Sequence, residues 1–351
     1  MNSRPPLSKA RKVGARLAAV IFGDAAILRR GLAGVLARLF GLDEAIYRPH
    51  PYTLYELNPN WRSRSARSRH NSLGFRGPEI LREKPKNRFR IVCMGESTTY
   101  CTGIDDDAAT YPARLAAHLS ALRPNRDIEV INAGVGGYTS LENLLRYHFH
   151  VEPLAPDLIV YYYSHNDVHP RRFRNISRDY REYSRSWFEP HFGGGLYGRI
   201  ERRRALASGD IGNMVRRYNE NVGRRESANV ASNPPVAFRA NMTALAVLAR
   251  AVGTRVLFVN PPYRYLARLA AGDTIGVNRV ALGVHEHRRI IEEIASEHDC
   301  TIYDLARDMP YPSDPAAFPN EHYLDPVHVN EKGADLMGRL IATAMTEAKL
   351  I

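Results

Sequence analysis

The feature that most constrains this chain is the alternation, from residue 88 onward, of short apolar β-prone runs with longer amphipathic segments. Residues 88–94 (RFRIVCM), 128–131, 158–163 (LIVYYY), 255–259 and 301–303 read as strands. Residues 111–122, 141–151, 237–251, 278–298 and 331–347 read as helices. Strands that are continuously apolar, rather than alternating, are buried on both faces, which is the pattern of a parallel sheet covered by helices. The expected fold is α/β, a doubly wound parallel sheet. Ligands in such sheets bind outside the carboxyl ends of the strands, near the topological switch point, so the residues just after each strand are where chemistry is sought.

At 351 residues, with 44% hydrophobic and 25% charged residues, the composition excludes wholesale disorder, a collagen-like chain and a disulfide scaffold. The length accommodates two domains or one α/β unit with insertions. The pattern divides it into a basic N-terminal segment (1–46), an extension rich in Pro, Asn, Ser and Arg (47–87), and a main domain (88–351) interrupted by an insertion at about 168–235. Cys93, Cys101 and Cys300 are too few for a four-ligand zinc site and leave the redox compartment open.

The N-terminal segment carries Arg4, Lys9, Arg11, Lys12 and Arg16 ahead of an apolar run at 17–28, like the opening of a secretory signal. Asp24 interrupts that run, Arg29 and Arg30 close it, and no small-x-small cleavage site follows. Twelve helical residues reach about 18 Å against a hydrocarbon core of about 30 Å, so the run does not span a bilayer alone. Leu17, Ile21, Ala25, Leu28, Leu32, Val35 and Leu39 follow helical spacing, which predicts an amphipathic helix lying on the protein body or on a membrane surface. A cytoplasmic or peripheral-membrane location is favoured, with secretion through an atypical signal as the alternative.

The net charge of +12 is concentrated in the insertion, including Arg171, Arg172, Arg174, Arg178, Arg202, Arg203 and Arg204. Such a field attracts anionic polymers or lipid. No nucleic-acid-binding motif accompanies it, so the expectation is a solvated basic insertion and nucleic acid is not the expected partner. Placed directly after a strand end, the insertion is equally a substrate wall or lid and a passive excursion.

The strand ends carry the chemistry. The first strand runs into Gly95-Glu96-Ser97-Thr98-Thr99, a strand-to-helix turn that exposes the Ser97 hydroxyl; a serine is a weak nucleophile until a base takes its proton. The segment before the closing helix holds Asp325-Pro326-Val327-His328, and a spacing of three on a loop lets the Asp325 carboxylate turn back onto Nδ1 of His328 and fix its tautomer. The second strand ends in NAGVGGYTS (132–140), whose glycines let a backbone N–H approach a developing negative charge, and the third ends in Ser164-His165-Asn166-Asp167, which brings an amide side chain to the same rim.

These four blocks, in this order, resemble those of the SGNH (GDSL-type) hydrolases: GES around Ser97, the glycine block with Gly137, SHND with Asn166, and the closing DxxH of Asp325 and His328. The resemblance covers residues 89–346 outside the insertion. It implies a flavodoxin-like sheet and a serine ester hydrolase acting through a covalent acyl-enzyme on a carbohydrate or lipid ester. Ser97 would be the nucleophile, His328 the base and Asp325 its orienter. The N–H groups of Ser97 and Gly137 and the Asn166 amide would form the oxyanion hole. No cofactor or metal is implied. The same site would serve an O-acyltransferase if a sugar hydroxyl replaced water, and a non-catalytic carbohydrate- or membrane-binding protein is the rival of a different class. Glu96 stands where the family has aspartate, and Cys101 where a glycine often lies.

Other residues have plainer readings. Ser97 alone would be a helix N-cap. Gly134, Gly136 and Gly137 without a following lysine are not a phosphate loop, and His165, Asp167 and His169 lack a recognised zinc spacing. His285 and His287 flank Glu286 in a polar helix and are expected to be solvated, Tyr161, Tyr162 and Tyr163 to be strand residues, Cys93 to be core, Cys101 to pack, and Asp304 to stabilise its loop.

Overall fold

The computed structural model describes residues 46–173, 176–183, 229–263, 266–272, 277–312, 314 and 316–351. The predicted amphipathic helix of the N-terminal segment and most of the arginine-rich insertion lie outside the described residues. Five parallel strands form the central sheet: β3 (Phe89–Gly95), β4 (Ile128–Asn132), β5 (Leu158–Tyr162), β6 (Arg255–Asn260) and β7 (Thr301–Asp304). Their spatial order is β4-β3-β5-β6-β7, the flavodoxin-like order expected of a doubly wound sheet. The order reverses between β3 and β5, where Gly95 pairs with Tyr162, so the chain segments after these two strands emerge side by side.

Both faces of the sheet are covered, which is why its central strands read as unbroken apolar runs. Ile91, Cys93, Leu158, Val160, Leu257 and Val259 point to one face and pack under helices α2 (Tyr111–Leu122) and α6 (Glu331–Glu347). Val92, Met94, Ile159, Tyr161, Val256 and Phe258 point to the other, under α4 (Val236–Ala251) and α5 (Arg279–His298). The alternation of side chains along each strand therefore feeds two cores at once. Helix α3 (Ser140–Arg146) is opened by a capping box between Thr139 and Glu142 and continues into a π-helical turn at Tyr147–Val151.

Three features differ from the expectations. His287 is wholly buried, its ring stacked 4.1 Å from that of Phe238, and not solvated; burial pushes its pKa well below the ordinary histidine value. Arg171, expected in a solvated face, is also buried, donating to the carbonyls of Asn233 (2.7 Å) and Val230 (2.9 Å) and pairing with Glu286. Asp304, read from the sequence as a cap or a stabiliser of its loop, makes no side-chain cap bond and instead accepts two bonds from Arg288 of α5 at 2.8 and 2.7 Å. Among the described residues, no helix is long and apolar enough to cross a membrane.

The extension before the sheet is an ordered attachment. Its antiparallel hairpin, β1 (Tyr47–His50) and β2 (Leu54–Leu57), is followed by turns that lead to Arg76 and His70. His70 is buried, with Nδ1 2.9 Å from the Asn58 carbonyl and Nε2 3.0 Å from the Tyr100 hydroxyl. Burial, assisted by the charges of Arg76 and Arg146, lowers its pKa to about 3. As pH falls below the ordinary histidine value the unfolded chain takes up this proton and the folded chain does not, so stability is lost between about pH 6.5 and 3. His70→Gln is expected to flatten the acid side of the stability profile by on the order of 1 kcal/mol per pH unit between pH 6 and 4. Chemical denaturation across that range checks it; parallel profiles for the two proteins would contradict it.

Candidate active site

β3 delivers Ser97. The chain leaves the strand at Gly95, passes Glu96 in an extended conformation, and enters the short helix α1 (Ser97–Tyr100). Thr98, Thr99 and Tyr100 are buried while Ser97 is partly exposed, so this turn presents one side chain to solvent. Cys101 ends the helix in the left-handed region (φ 61°), the conformation in which a glycine would be at ease. The carbonyls left open at that end are taken up by Arg76 of the extension, which donates to Tyr100 (2.6 Å), Cys101 (3.1 Å) and Ile104 (2.6 Å) and pairs with Asp107 at 2.9 Å. The glycine block packs against the same helix: a Cβ on Gly134 would sit 2.2 Å from the Tyr100 nitrogen.

The loop before α6 delivers the other two members. His328 Nε2 lies 2.9 Å from Ser97 Oγ, and Nδ1 lies 2.8 Å from Asp325 Oδ2. The remaining oxygen, Asp325 Oδ1, accepts the N–H groups of Val327 and His328, both at 2.8 Å, which turns the loop back on itself as the DxxH spacing requires. The Tyr311 hydroxyl donates to the Pro326 carbonyl at 2.8 Å and steadies the loop from outside. Partial burial would raise the Asp325 pKa, but the hydrogen bond and charge of the His328 ring and the two backbone N–H groups outweigh it, and the group is lowered to about 2. It is therefore ionised throughout the neutral range.

β5 delivers Asn166, which is buried and donates from Nδ2 to the Tyr138 carbonyl at 2.9 Å. An amide nitrogen has two N–H bonds, so one remains beyond the bond that fixes the side chain beside the glycine block. Gly137, next to Tyr138, has φ +82° and is partly exposed where its neighbours are buried. All five predicted residues thus occur on loops that the sheet's switch point brings together.

Sequence reasoning missed the residues that tie these loops to one another. Glu96 is buried, and its carboxyl accepts the Ser164 N–H at 3.2 Å and interacts with the Asn166 backbone N–H, linking the serine block to the asparagine block. Asp167 accepts from the Ser140 N–H (2.8 Å), the Ser140 hydroxyl (2.5 Å) and the Tyr180 hydroxyl (2.9 Å), linking the asparagine block to the start of α3. Burial pushes Asp167 up to about 7 against the pull of those donors, and pushes Glu96 well above the carboxylate range. Because Asp167 is committed in this way, it forms no ligand set with His165 and His169. Cys101 is no rival nucleophile: its thiol is buried, accepts the Tyr111 N–H at 3.3 Å, and is pushed up to about 11 by burial.

One group among the described residues has the composition of a metal site, His50, Glu56 and His150, with candidate ligand atoms within 4.8 Å of one another. Its hydrogen bonds do not suit a cation. His50 Nδ1 accepts the Thr53 N–H at 3.2 Å, which leaves the proton of the neutral ring on Nε2, and Glu56 Oε1 is held by Arg48 at 2.7 Å. A cleft of about 570 Å³ opens beside the DxxH loop, lined by Tyr162, His165, Tyr263, Tyr311, Phe318 and Val327.

The profile of the GDSL-like lipase/acylhydrolase family matches residues 93–336. Among solved structures the chain is similar to LAE5, an α/β hydrolase enzyme from the metagenome of Lake Arreo, Spain, at 17% identity over 74% of this chain and 95% of that one, TM-score 0.45. It is similar to the lipase/acylhydrolase from Enterococcus faecalis at 18% identity over 74% and 96%, TM-score 0.42. It is also similar to Axe2, an acetylxylan esterase from Geobacillus stearothermophilus, at 16% identity over 73% and 93%, TM-score 0.43. No curated protein matches the chain. The matched segment spans more than half of the sequence and contains Ser97, Gly137, Asn166, Asp325 and His328, and the chain accordingly belongs to the GDSL-like lipase/acylhydrolase family of carboxylic ester hydrolases.

Proposed function

We propose that the protein removes an acyl group from a carbohydrate ester through a covalent acyl-enzyme on Ser97. The observation that carries this reading is the unbroken chain from Ser97 Oγ through the His328 ring to Asp325, with links of 2.9 and 2.8 Å. Ser97 Oγ attacks the ester carbonyl as His328 Nε2 takes its proton, and Asp325 holds the opposite proton on Nδ1 and stabilises the imidazolium that forms. The N–H groups of Ser97 and Gly137 and the free N–H of Asn166 Nδ2 receive the negative charge that develops on the carbonyl oxygen. His328 then returns the proton to the leaving alcohol, and water repeats the sequence to release the acid and regenerate Ser97.

The leaving alcohol must reach His328 Nε2, and the cleft beside the DxxH loop is lined by Pro326 and Val327, the two residues before that histidine. Its Tyr263, Tyr311 and Phe318 offer aromatic faces to an alcohol with an apolar ring surface and hydroxyl edges, which supports a sugar there over a flexible lipid headgroup.

Two outcomes are expected. In a screen of acetylated pyranosides against glycerol esters of fatty acids, the acetylated sugars should give kcat/KM at least ten-fold higher, and Ser97→Ala should abolish both activities; a preference for long-chain glycerol esters would contradict the sugar assignment. Asn166→Ala should lower kcat by about 100- to 1000-fold, as loss of one oxyanion donor does, with KM changed by no more than a few-fold. Steady-state kinetics on the best sugar ester checks this, and an unchanged kcat would remove Asn166 from the oxyanion hole.

A further inference from the structure

The glycine block contains a consecutive pair, Gly136-Gly137, and the peptide unit between them carries the N–H assigned above to the oxyanion hole. A peptide flanked by two glycines is the easiest in a chain to rotate as a unit, because neither residue has a Cβ to oppose the change in dihedral angles. Rotation would be ruinous here. The peptide is planar and trans, so its carbonyl and its N–H point in opposite directions, and a flip would replace the donor with an oxygen facing a developing oxyanion.

The carbonyl end of this unit is held. The Tyr55 hydroxyl donates to the Gly136 carbonyl oxygen at 2.8 Å in a buried setting. Gly137 has φ +82°, and a Cβ on it would stand 2.4 Å from the Tyr55 hydroxyl, so the phenol and the glycine occupy a contact that no other residue at 137 would permit. Tyr55 is itself fixed. Its ring packs between those of Tyr47 (5.2 Å) and Tyr138 (5.4 Å), and its own carbonyl accepts the Tyr138 hydroxyl at 2.5 Å and the Thr53 hydroxyl at 3.0 Å. On the neighbouring strand, the Tyr47 hydroxyl lies 2.6 Å from where a Cβ on Gly136 would be, closing the other side of the same unit. A donor on the carbonyl also polarises the amide and makes its N–H the stronger donor.

Tyr47 and Tyr55 lie on β1 and β2, ahead of the segment that matches the family. We propose that the N-terminal hairpin completes the catalytic site, with Tyr55 as a positioning residue that locks the Gly136–Gly137 peptide so that its N–H faces the reacting carbonyl oxygen. This rests on the assignment of Gly137 to the oxyanion hole.

Tyr55→Phe removes the one hydroxyl and keeps the packed ring. On the sugar ester it should lower kcat by about 10- to 100-fold with KM within about two-fold, a smaller loss than outright removal of an oxyanion donor. Binding of a trifluoromethyl ketone, whose tetrahedral adduct uses the hole, should weaken by the same factor as kcat/KM. Ser68→Ala serves as the structural control: it cuts the hydrogen bond from the Ser68 hydroxyl to Asp107 (3.0 Å) that ties the extension to the body of the protein, and should lower the melting temperature while leaving kcat within about three-fold. Equal losses of kcat in the two variants would overturn the proposal, since general loosening of the extension would then account for both. A Tyr55→Phe protein with kcat within two-fold of the parent would overturn it as well, leaving the catalytic reading intact if Asn166→Ala still loses 100-fold or more. If neither Asn166→Ala nor Tyr55→Phe affects kcat or the ketone, the oxyanion assignment itself fails and the proposal falls with it.

Discussion

The proposed catalysis depends on one contact, between Ser97 Oγ and His328 Nε2, whose partners are 231 residues apart in the chain. No local preference can produce it. The serine is set by where β3 stops and the histidine by where the last loop turns into α6, so the contact inherits its accuracy from the register of the parallel sheet and from the packing of α6 on α2. Gly338 shows how close that packing is: a Cβ there would lie 2.7 Å from the Leu115 nitrogen. A sheet buried on both faces has little freedom to slip, because a shift of one residue would exchange its two cores. Rigidity of the scaffold is therefore what the proposed catalytic groups draw on.

Behind the proposed catalytic groups lies a second layer that has an electrostatic cost. Burial raises Glu96, Glu142 and Asp167, and the charges of Asp167 and Glu142 raise Glu96 further, as that of Glu142 raises Asp167. Glu96 and Asp167 are kept by donors from other loops, Ser164 for Glu96 and Ser140 and Tyr180 for Asp167, whereas Glu142 is kept by Thr139 within its own capping box. A carboxyl that satisfies the N–H of another loop acts as a pin between the two. The hairpin of the extension works from the outer side by the same logic, with tyrosine hydroxyls in place of carboxyls.

Much of this was legible beforehand. The strands and helices of the main domain announced themselves because a parallel sheet leaves continuous apolar runs, and the termini of α2 and α6 matched the sequence reading residue for residue. The residues of the proposed site were visible because every one of them follows a strand or precedes a helix. What escaped has identifiable causes. Tyr47 and Tyr55 lie in a stretch whose Pro, Asn and Ser content marks turns, and nothing in a tyrosine's spacing says which distant carbonyl it will meet. The role of Glu96 was not legible because its partner lies in a loop 68 residues away. His287 did carry a signal: with Val284, Ile291 and Ile294 it falls on the buried stripe of its helix, and its polar neighbours Glu286 and Arg288 obscured that period. The π-helical turn at Tyr147–Val151 has no counterpart in the sequence pattern that we can identify.

The central claim is that an imidazole drawn from the far end of the chain makes the hydroxyl of Ser97 nucleophilic. Labelling the whole protein with a fluorophosphonate, then mapping the modified peptide by mass spectrometry, tests it without knowledge of the natural ester. The account predicts a single adduct on Ser97 that disappears when His328 is replaced by alanine. An adduct on another residue, or a protein that hydrolyses esters while Ser97 stays unmodified, would contradict it.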